Sequence, residues 1–265
     1  MTKFYPIFLI VMFTITACQK VPITGRKQIN LLPEKDLITM STAEYSNFLS
    51  THDFEVGTYD AEMVKRVGKR ISDAVSVYMN VNGHASRIAG FSWEFNLVRD
   101  DAVNAWCMPG GKVCVYTGIL PMTLNENGLA VVLGHEIAHA IARHGNERMS
   151  QGLMFKLGGI ALNVAVSNKS QETQSLFNDA YGIGTQTGLM LPFSRKNELE
   201  SDKLGLVFMQ LAGYDASKAA DFWKRMSENG SSQPEFLSTH PSDEKRIKEI
   251  NDFLNSDTFK KHSNN

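Results

Sequence analysis

The sequence predicts an α+β fold that is mostly helical and has one small antiparallel sheet. Three observations lead to this prediction. Apolar residues recur at helical spacing over several segments, for example within residues 63–71. Residues 91–98 alternate between apolar and polar types, as a half-buried strand does. A Gly-Gly pair joins two further strand-like runs, and an apolar helix follows them.

The chain begins with a segment that resembles a bacterial export signal. Lys3 gives a positive start, and residues 7–15 form an apolar run that is too short to span a bilayer as a mature helix. The run ends in Ile-Thr-Ala-Cys, which resembles a lipobox and implies removal of residues 1–17 and lipid attachment to Cys18. Gln19 in the next position implies sorting to the outer membrane of a Gram-negative bacterium, facing the periplasm. An ordinary signal peptide followed by a chance cysteine is the alternative.

The remaining chain is predicted to form one domain over residues 34–256, since its length is enough for one well-buried core. Residues 18–33 show little periodicity and predict a tether, and residues 257–265 predict a disordered tail. The formal net charge is −1 and no basic stripe is present, which argues against nucleic acid as a partner. Beyond residue 15, no apolar run suits a transmembrane span.

Periodicity and capping residues predict the individual elements of this domain. The sheet is expected to consist of the strand at 91–98 and a hairpin of residues 102–107 and 112–116. Helices are predicted at 34–49, 60–78, 127–144, 150–167, 196–211, 217–228 and 242–254.

Two of the predicted segments are less regular than the others. Residues 150–167 are apolar and Gly-rich, which favours a helix that is buried or covers the site, with a membrane-dipping helix as the alternative. Residues 168–179 are polar and predicted to be mobile. A lid over the site is expected within residues 168–188.

Cys107 and Cys114 flank the predicted hairpin turn. If Gly110 and Gly111 form a two-residue loop, the two cysteines face each other across the ladder. An exported protein meets oxidising conditions, so a disulfide is predicted, with two buried free thiols as the alternative. In this register the cysteines form a hydrogen-bonded pair, whose Cα atoms lie farther apart than those of the alternate pairs.

The most informative stretch is His135-Glu136-Ile137-Ala138-His139. Four residues along a helix are slightly more than one turn, so both imidazoles point the same way and can hold one metal ion. Catalytic zinc keeps an open coordination position and lowers the pKa of a bound water from about 15.7 toward ~7. Glu136 is close enough to take the proton of that water without binding the metal. The pattern predicts peptide hydrolysis, with Glu136 as general base and as acid toward the leaving amine.

A catalytic zinc site needs a third protein ligand. Glu198 and Asp202 lie four residues apart and share a helix face, whereas Glu200 points about half a turn away. One of the two can bind the metal, and the other can accept a hydrogen bond from a ligand's free ring nitrogen. The spacing leaves open which is which, and an exposed helix charge is the alternative for Glu198.

The chain resembles the zinc metallopeptidase family that includes the CAAX prenyl protease, HtpX and the periplasmic proteases BepA and LoiP. The matching blocks are NAWCMPGGKVCVYTGIL, HEIAHAIARHGNERMS, SRKNELESD and THPSDEKRI, and VPITGRKQINLLP is similar to the mature start of lipoprotein members. The resemblance covers nearly the whole mature chain. It implies a gluzincin-like zincin fold with one Zn²⁺ per chain, Glu198 as third ligand and Asp202 as support of the zinc site. Ser201 and Cys107 stand where the family usually or often has alanine.

Further site residues are predicted around this centre. His240 matches a family histidine near the metal, where it can hold or release the open position or stabilise an oxyanion; a packing histidine in a Pro turn is the alternative. Arg246 is expected to assist at the oxyanion or to form an exposed pair on its helix. His144 lies about 140° off the metal face and is interpreted as structural. Tyr116, with strand residues 113–117, is predicted to form the sheet edge beside the metal, where an extended substrate adds as a strand.

Together these features predict a lipid-anchored zinc endopeptidase that faces the periplasm. The resemblance implies misfolded or stalled envelope proteins as its substrates. The main alternative is a chaperone-like factor that works with the outer-membrane assembly machinery and whose protease activity is latent. A zinc hydrolase of non-peptide cell-wall links is a second alternative, without a sequence feature of its own.

Overall fold

The computed structural model describes residues 18–157, 171–181, 194–228, 236–237, 240 and 244–263. The predicted signal peptide and much of the predicted lid lie outside these residues. The described helices are α1 Glu34–Thr51, α2 Tyr59–Val81, α3 Leu120–Thr123, α4 Glu126–Ala142, α5 His144–Leu157, α6 Gln171–Tyr181, α7 Arg195–Leu211, α8 Lys218–Glu228, α9 Glu244–Leu254 and α10 Asp257–Ser263. The described strands are β1 Cys18–Lys20, β2 Lys27–Ile29, β3 Phe54–Glu55, β4 Glu94–Val98, β5 Ala105–Met108 and β6 Lys112–Tyr116. The mostly helical α+β prediction agrees with this architecture.

The main sheet is mixed, so the prediction of an antiparallel sheet was wrong in part. Its strand order is β3-β4-β6-β5. β4 runs antiparallel to β3 but parallel to β6, and β6 runs antiparallel to β5. After β4 the chain passes beyond the place of β6 and forms β5 on the far side, and the hairpin then returns β6 between them. Strand direction depends on this crossing, which alternation of residue types does not reveal.

The segment predicted as a tether is packed against the domain. β1 and β2 pair as an antiparallel hairpin, and Gln28 within it is buried. The Leu31 backbone N–H donates to Ser150 Oγ of α5 at 2.8 Å. Arg26 in the hairpin loop reaches carboxylates on both α5 and α7. The tether prediction was wrong because the contacts that order this segment are made with residues more than 100 positions away.

Two other segments are more regular than predicted. Residues 257–263 form helix α10, in which His262 hydrogen-bonds to the Tyr78 hydroxyl. Within the segment 168–179 that was predicted to be mobile, the described residues belong to helix α6. This helix buries Leu176 and Phe177 in an apolar cluster with Leu37, Met149 and Leu153. None of the helices among the described residues combines the length and apolarity needed to cross a bilayer.

Helices α4 and α7 cross at very short range in the centre of the molecule. A Cβ atom placed on Gly205 would lie 2.8 Å from the carbonyl carbon of Gly134 and 2.9 Å from the backbone nitrogen of His135. Only glycine at this crossing lets the two backbones approach so closely. The crossing brings the histidine helix and the predicted acid helix together, and it therefore sets the geometry of the site.

Candidate metal centre

Helix α4 presents His135, Glu136 and His139 from an almost fully buried segment. Its N-terminus is capped by Asn125, whose side-chain oxygen accepts from the backbone N–H groups of Asn127 and Gly128 at 2.9 and 3.2 Å. The helix is apolar on all sides and every residue from Gly128 to Ala142 is buried. Three titratable side chains in such a helix need specific partners, because burial penalises unpaired polar groups.

Helix α7 supplies Glu198 and Asp202 from the facing side. Ser194 caps it by accepting from the Asn197 backbone N–H at 3.2 Å. Glu198 and Asp202 share the face directed at α4, and each approaches a different part of the histidine pair. Glu200 lies on another face of α7, as its position in the sequence predicted.

Glu198 and the two imidazoles converge on one point. His135 Nε2 lies 3.1 Å from His139 Nε2. The Glu198 carboxylate places Oε2 3.3 Å from His135 Nε2 and Oε1 3.2 Å from His139 Nε2. Zinc–ligand bonds of 2.0–2.1 Å in a tetrahedron require ligand atoms about 3.3 Å apart. The three pairs of donor atoms match the edges of such a tetrahedron.

The protonation of two of these groups, His139 and Glu198, also suits a cation. Burial lowers the pKa of His139 well below its usual value, so its imidazole is neutral at pH 7. Burial opposes ionisation of Glu198, but His240 and His139 hold the pKa of that carboxyl well below its usual range. Two imidazoles and one ionised carboxylate form a donor set typical of catalytic zinc.

His240 completes the group. Its Nδ1 lies 3.2 Å from His135 Nε2 and 3.0 Å from Glu198 Oε2, so it takes the fourth corner of the same cluster. Donor atoms of all four residues lie within 4.8 Å of one another, and all four side chains are buried. The backbone holds His240 there through its N–H, which donates to the Phe236 carbonyl at 2.8 Å.

Glu136 lies beside the cluster without joining it. Its Oε1 is buried and has no hydrogen-bond partner among the described residues, with His240 Nε2 3.5 Å away. Burial raises the pKa of Glu136 to about 7. An orphaned buried carboxylate oxygen next to a donor set is what a zinc hydrolase needs for a base that does not bind the metal.

Comparison with known proteins agrees with this geometry. The family model for peptidase family M48 matches residues 62–253 of the chain. The chain belongs to peptidase family M48. It is therefore a metalloendopeptidase, and its cofactor is zinc.

The relatives within family M48 come from mitochondria and from bacteria. The chain is 34% identical over 245 residues to the mitochondrial metalloendopeptidase OMA1 of Schizosaccharomyces pombe, covering 90% of this chain and 67% of that protein. It is 30% identical to human OMA1, with 90% of this chain and 46% of that protein covered. It is 27% identical to the beta-barrel assembly-enhancing protease of Escherichia coli, with 78% of this chain and 45% of that protein covered. The chain spans about half the length of the human and E. coli proteins.

Arg246 holds the Asp202 carboxylate of the M48 site in position. Its guanidinium binds the Asp202 carboxylate through Nε at 2.7 Å and through an Nη at 2.8 Å. Asp202 in turn lies 3.0 Å from His135 Nδ1, on the side of the ring away from the cluster. The guanidinium stacks on Trp223 at 3.5 Å and is 3.3 Å from Glu198 Oε2. The alternative of an exposed helix pair for Arg246 was wrong, because the side chain is buried against Asp202 and Trp223. Its predicted role at the oxyanion stays a prediction.

The predicted edge strand is in the interior of the sheet. β6 pairs with β4 on one side and β5 on the other, so Tyr116 and its strand cannot accept a further strand. Tyr116 lies at the end of β6, where its hydroxyl is 3.4 Å from Trp106 Nε1. β3 and β5 are the edge strands of this sheet. Residues 104–108, which include β5, line a cleft together with Glu136, His139, Tyr181 and His240.

The predicted disulfide does not form. Cys107 and Cys114 are both free and buried. Cys107 pairs with Val113 and Met108 with Lys112, so three residues, not two, form the turn. Since neighbouring residues of a strand face opposite sides, the shift of one position puts the two thiols on opposite faces of the sheet. They accordingly belong to different apolar clusters.

His144 is a site-proximal residue that the sequence interpretation missed. Helix α4 ends at Ala142 rather than at His144, because Arg143 adopts a left-handed conformation with φ of 59°. A new helix begins at His144 and turns its ring toward the metal cluster. His144 Nδ1 then lies 3.0 Å from His139 Nδ1. An extrapolated straight helix gave the wrong direction for this side chain.

Proposed function

We propose that His135, His139 and Glu198 bind one Zn²⁺ and that Glu136 is the general base of peptide hydrolysis. The observation that carries this proposal is the tetrahedral spacing of the donor atoms, with a buried, unbonded Glu136 oxygen beside them. Zinc in this position supplies Lewis-acid polarisation of the peptide carbonyl and activates water for attack. Glu136 accepts a proton at Oε1 and delivers it to the leaving amine.

The cleft beside β5 is the proposed place of the substrate. β5 has one unpaired edge among the described strands, and its residues border the same cleft as Glu136 and His139. An extended peptide that adds to this edge makes backbone hydrogen bonds and needs no particular side chain. Backbone pairing of this kind suits unfolded segments. The proposed site of strand addition is therefore the edge of β5 and no longer β6.

Misfolded or stalled envelope proteins are the proposed substrates, for a protein anchored at Cys18 to the inner leaflet of the outer membrane. The lipobox-like Ile-Thr-Ala-Cys sequence and the likeness to the E. coli beta-barrel assembly-enhancing protease support this location. The mitochondrial relatives support the protease activity but not the compartment. Palmitate labelling tests the anchor: label that persists in a Cys18→Ser protein would exclude it.

The activity is tested with the purified protein and unfolded casein as substrate. Cleavage is expected with bound zinc, and it should stop after chelation and return when zinc is restored. The matched control is Glu136→Gln, which keeps the size of the side chain and removes the base. Cleavage by that variant at the wild-type rate would contradict the proposal.

A chaperone-like role in outer-membrane assembly, with latent protease activity, is the second candidate. It is favoured by His240, whose Nδ1 takes the fourth corner beside the proposed ligands and closes it to substrate. Expression of Glu136→Gln in a deletion strain separates the two roles. Full restoration of outer-membrane assembly would show that binding is the dominant function, whereas no restoration would show that cleavage is required.

A further inference from the structure

A chain of polar contacts runs from the N-terminal hairpin to the back of His139. His139 Nδ1, on the ring side away from Glu198, lies 3.0 Å from His144 Nδ1. His144 Nε2 lies 3.0 Å from Glu200 Oε2. Arg26 from the hairpin loop reaches Glu200 Oε2 at 2.6 Å, and Thr24 donates to Glu200 Oε1 at 2.5 Å. His139, His144 and Glu200 are buried and Arg26 is largely buried, whereas Thr24 lies at the exposed end of these contacts.

The chemistry of these polar groups determines which atom donates in each hydrogen bond. The partner of His144 Nε2 is the Glu200 carboxylate, which accepts, so Nε2 carries the hydrogen and donates it. With its hydrogen on Nε2, the neutral His144 ring presents Nδ1 as an acceptor. Ser201 Oγ lies 3.2 Å from the same Nδ1 and can donate to it. His139 Nδ1 therefore donates to His144, and the lone pair of His139 Nε2 is directed toward the point that Glu198 and His135 also face.

Arg26 fixes Glu200, at the end of this series of polar contacts that is remote from His139. Its guanidinium binds Glu147 of α5 through two nitrogens at 2.6 and 2.7 Å, and its Nε donates to Glu200 Oε2 of α7 at 2.7 Å. Thr24 donates to the other oxygen, Oε1, so both oxygens of the Glu200 carboxylate accept hydrogen bonds from the hairpin loop or from His144. Glu200 is thus a fixed anion that orients the His144 ring.

We propose that His144 and Glu200, held by Arg26 of the N-terminal hairpin, are positioning residues that fix the ring and tautomer of His139 for zinc. Asp202 does the same for His135 by a direct contact at 3.0 Å. The partner of His139 Nδ1 is the His144 ring, and the Glu200 carboxylate acts one imidazole farther away. This proposal rests on the proposed zinc site, but it concerns zinc affinity and the ordering role of the hairpin rather than cleavage.

Zinc affinity of the full-length protein tests the proposal, measured by competition with a chromogenic chelator. Loss of partners that orient metal-bound histidines commonly weakens metal affinity by about 10–100-fold. We expect a loss in this range for His144→Leu, a smaller loss for Glu200→Gln, and recovery toward the wild-type value for His144→Asn, whose side-chain oxygen can accept from His139. The visible spectrum of the cobalt-substituted protein should shift in the same order.

The control is Arg143→Gln, which removes the contacts of a neighbouring arginine with Gln19 of the hairpin and with Glu34. The polar contacts that link Arg26, Glu200, His144 and His139 do not involve Arg143. Wild-type zinc affinity is expected for this variant, whereas Arg26→Ala should weaken zinc binding. If His144→Leu does not fold, Glu200→Gln and His144→Asn still provide the comparison. Wild-type affinity and an unchanged cobalt spectrum in Glu200→Gln and Arg26→Ala would overturn the proposal. Tight zinc binding without casein cleavage would instead contradict the proposed function alone.

Discussion

At the scale of single residues, the site separates metal binding from proton transfer. The imidazoles of His135 and His139 and the Glu198 carboxylate lie at tetrahedral spacing, while Glu136 stands beside them with an unbonded oxygen. Metal binding is assigned to Glu198 of α7, and proton transfer is assigned to Glu136 of α4. Substitutions of these two glutamates should therefore have different consequences.

Glu136→Gln should keep its zinc and lose cleavage. The substitution leaves the three donor atoms in place but removes the group that accepts the proton, and general-base catalysis is commonly worth about 10²–10⁴ in rate. We expect casein cleavage to fall by at least about 100-fold. Glu198→Ala should lose zinc as well as activity. Elemental analysis of both proteins checks this, and full zinc occupancy in Glu198→Ala would remove Glu198 as a ligand.

His240→Ala should raise the rate of casein cleavage. The imidazole Nδ1 lies 3.0 Å from Glu198 Oε2 and occupies the corner that a substrate or water needs. Its removal opens that corner while His135, His139 and Glu198 remain. The measurement is the initial rate at saturating zinc, with zinc content as the control. A reduced rate at full zinc occupancy would instead indicate that the imidazole assists the reaction, and an unchanged rate would exclude both roles.

At the scale of elements, the crossing of α4 and α7 determines whether the donors meet. Gly134 and Gly205 allow the two backbones to touch, and this contact sets the distance between the histidine pair and the carboxylates. The sequence shows both glycines inside helical patterns, where glycine costs about 1 kcal/mol relative to alanine. The close approach of the helices is the physical reason for them.

Gly205→Ala should lower both the free energy of unfolding and the zinc affinity. The new methyl group would lie 2.8 Å from the Gly134 carbonyl carbon, and backbone atoms cannot turn away as a side chain does. Overpacking of this kind typically costs 1–3 kcal/mol. Urea denaturation and chelator competition measure the two effects. Gly152→Ala is the control, because its methyl group meets only the end of the Leu176 side chain.

An equal effect of the two alanine substitutions would contradict this account of the crossing.

The edge of β5 leads to a separate prediction at the scale of elements. If substrates add to it as a strand, N-methylation of backbone amides near the cleaved bond should slow cleavage. Changes of side chain at the same positions should matter less. A strong dependence on one side chain would argue for a specificity pocket instead of backbone pairing.

At the scale of the whole molecule, the sequence predicted the proposed site residues better than it predicted the contacts around them. His135, Glu136 and His139 follow from one helical motif, because their spacing is local. The choice between Glu198 and Asp202 needed the family resemblance, since both share a helix face. Arg26 and its hairpin were missed because their partners, Glu147 and Glu200, lie 121 and 174 positions away. No local pattern carries information of that range.

The remaining errors also come from non-local geometry. The sequence predicted β6 as the edge strand, because a hairpin does not reveal which of its strands meets the rest of the sheet. The break after Ala142 depends on Arg143 in a left-handed conformation, which arginine rarely adopts, and Gly145 offered a more ordinary end. The register of the hairpin depends on a three-residue turn that the Gly-Gly pair alone does not specify.

The ion pairs between the hairpin and the helices predict how stability depends on pH. The pKa of Glu200 is lowered to about 2 in the fold, against an ordinary value of 4.5. A carboxyl whose pKa is lower in the folded state stabilises the fold above the ordinary value, and this stabilisation is lost as pH falls toward the folded value. The difference corresponds to roughly 3 kcal/mol, at about 1.36 kcal/mol for each pKa unit.

The zinc-free protein should therefore lose stability between about pH 4.5 and pH 2, and Glu200→Gln should lose less over this interval. Metal-free protein is used because protonation of the histidines would release zinc on the same titration. The free energy of unfolding is measured in urea at each pH. Glu62→Gln is the control, since this exposed carboxylate pairs with Lys65 of the same helix and its loss should leave the pH dependence of stability as in the wild type. Parallel curves for wild type and Glu200→Gln would show that the hairpin is held by apolar packing and that its ion pairs contribute little.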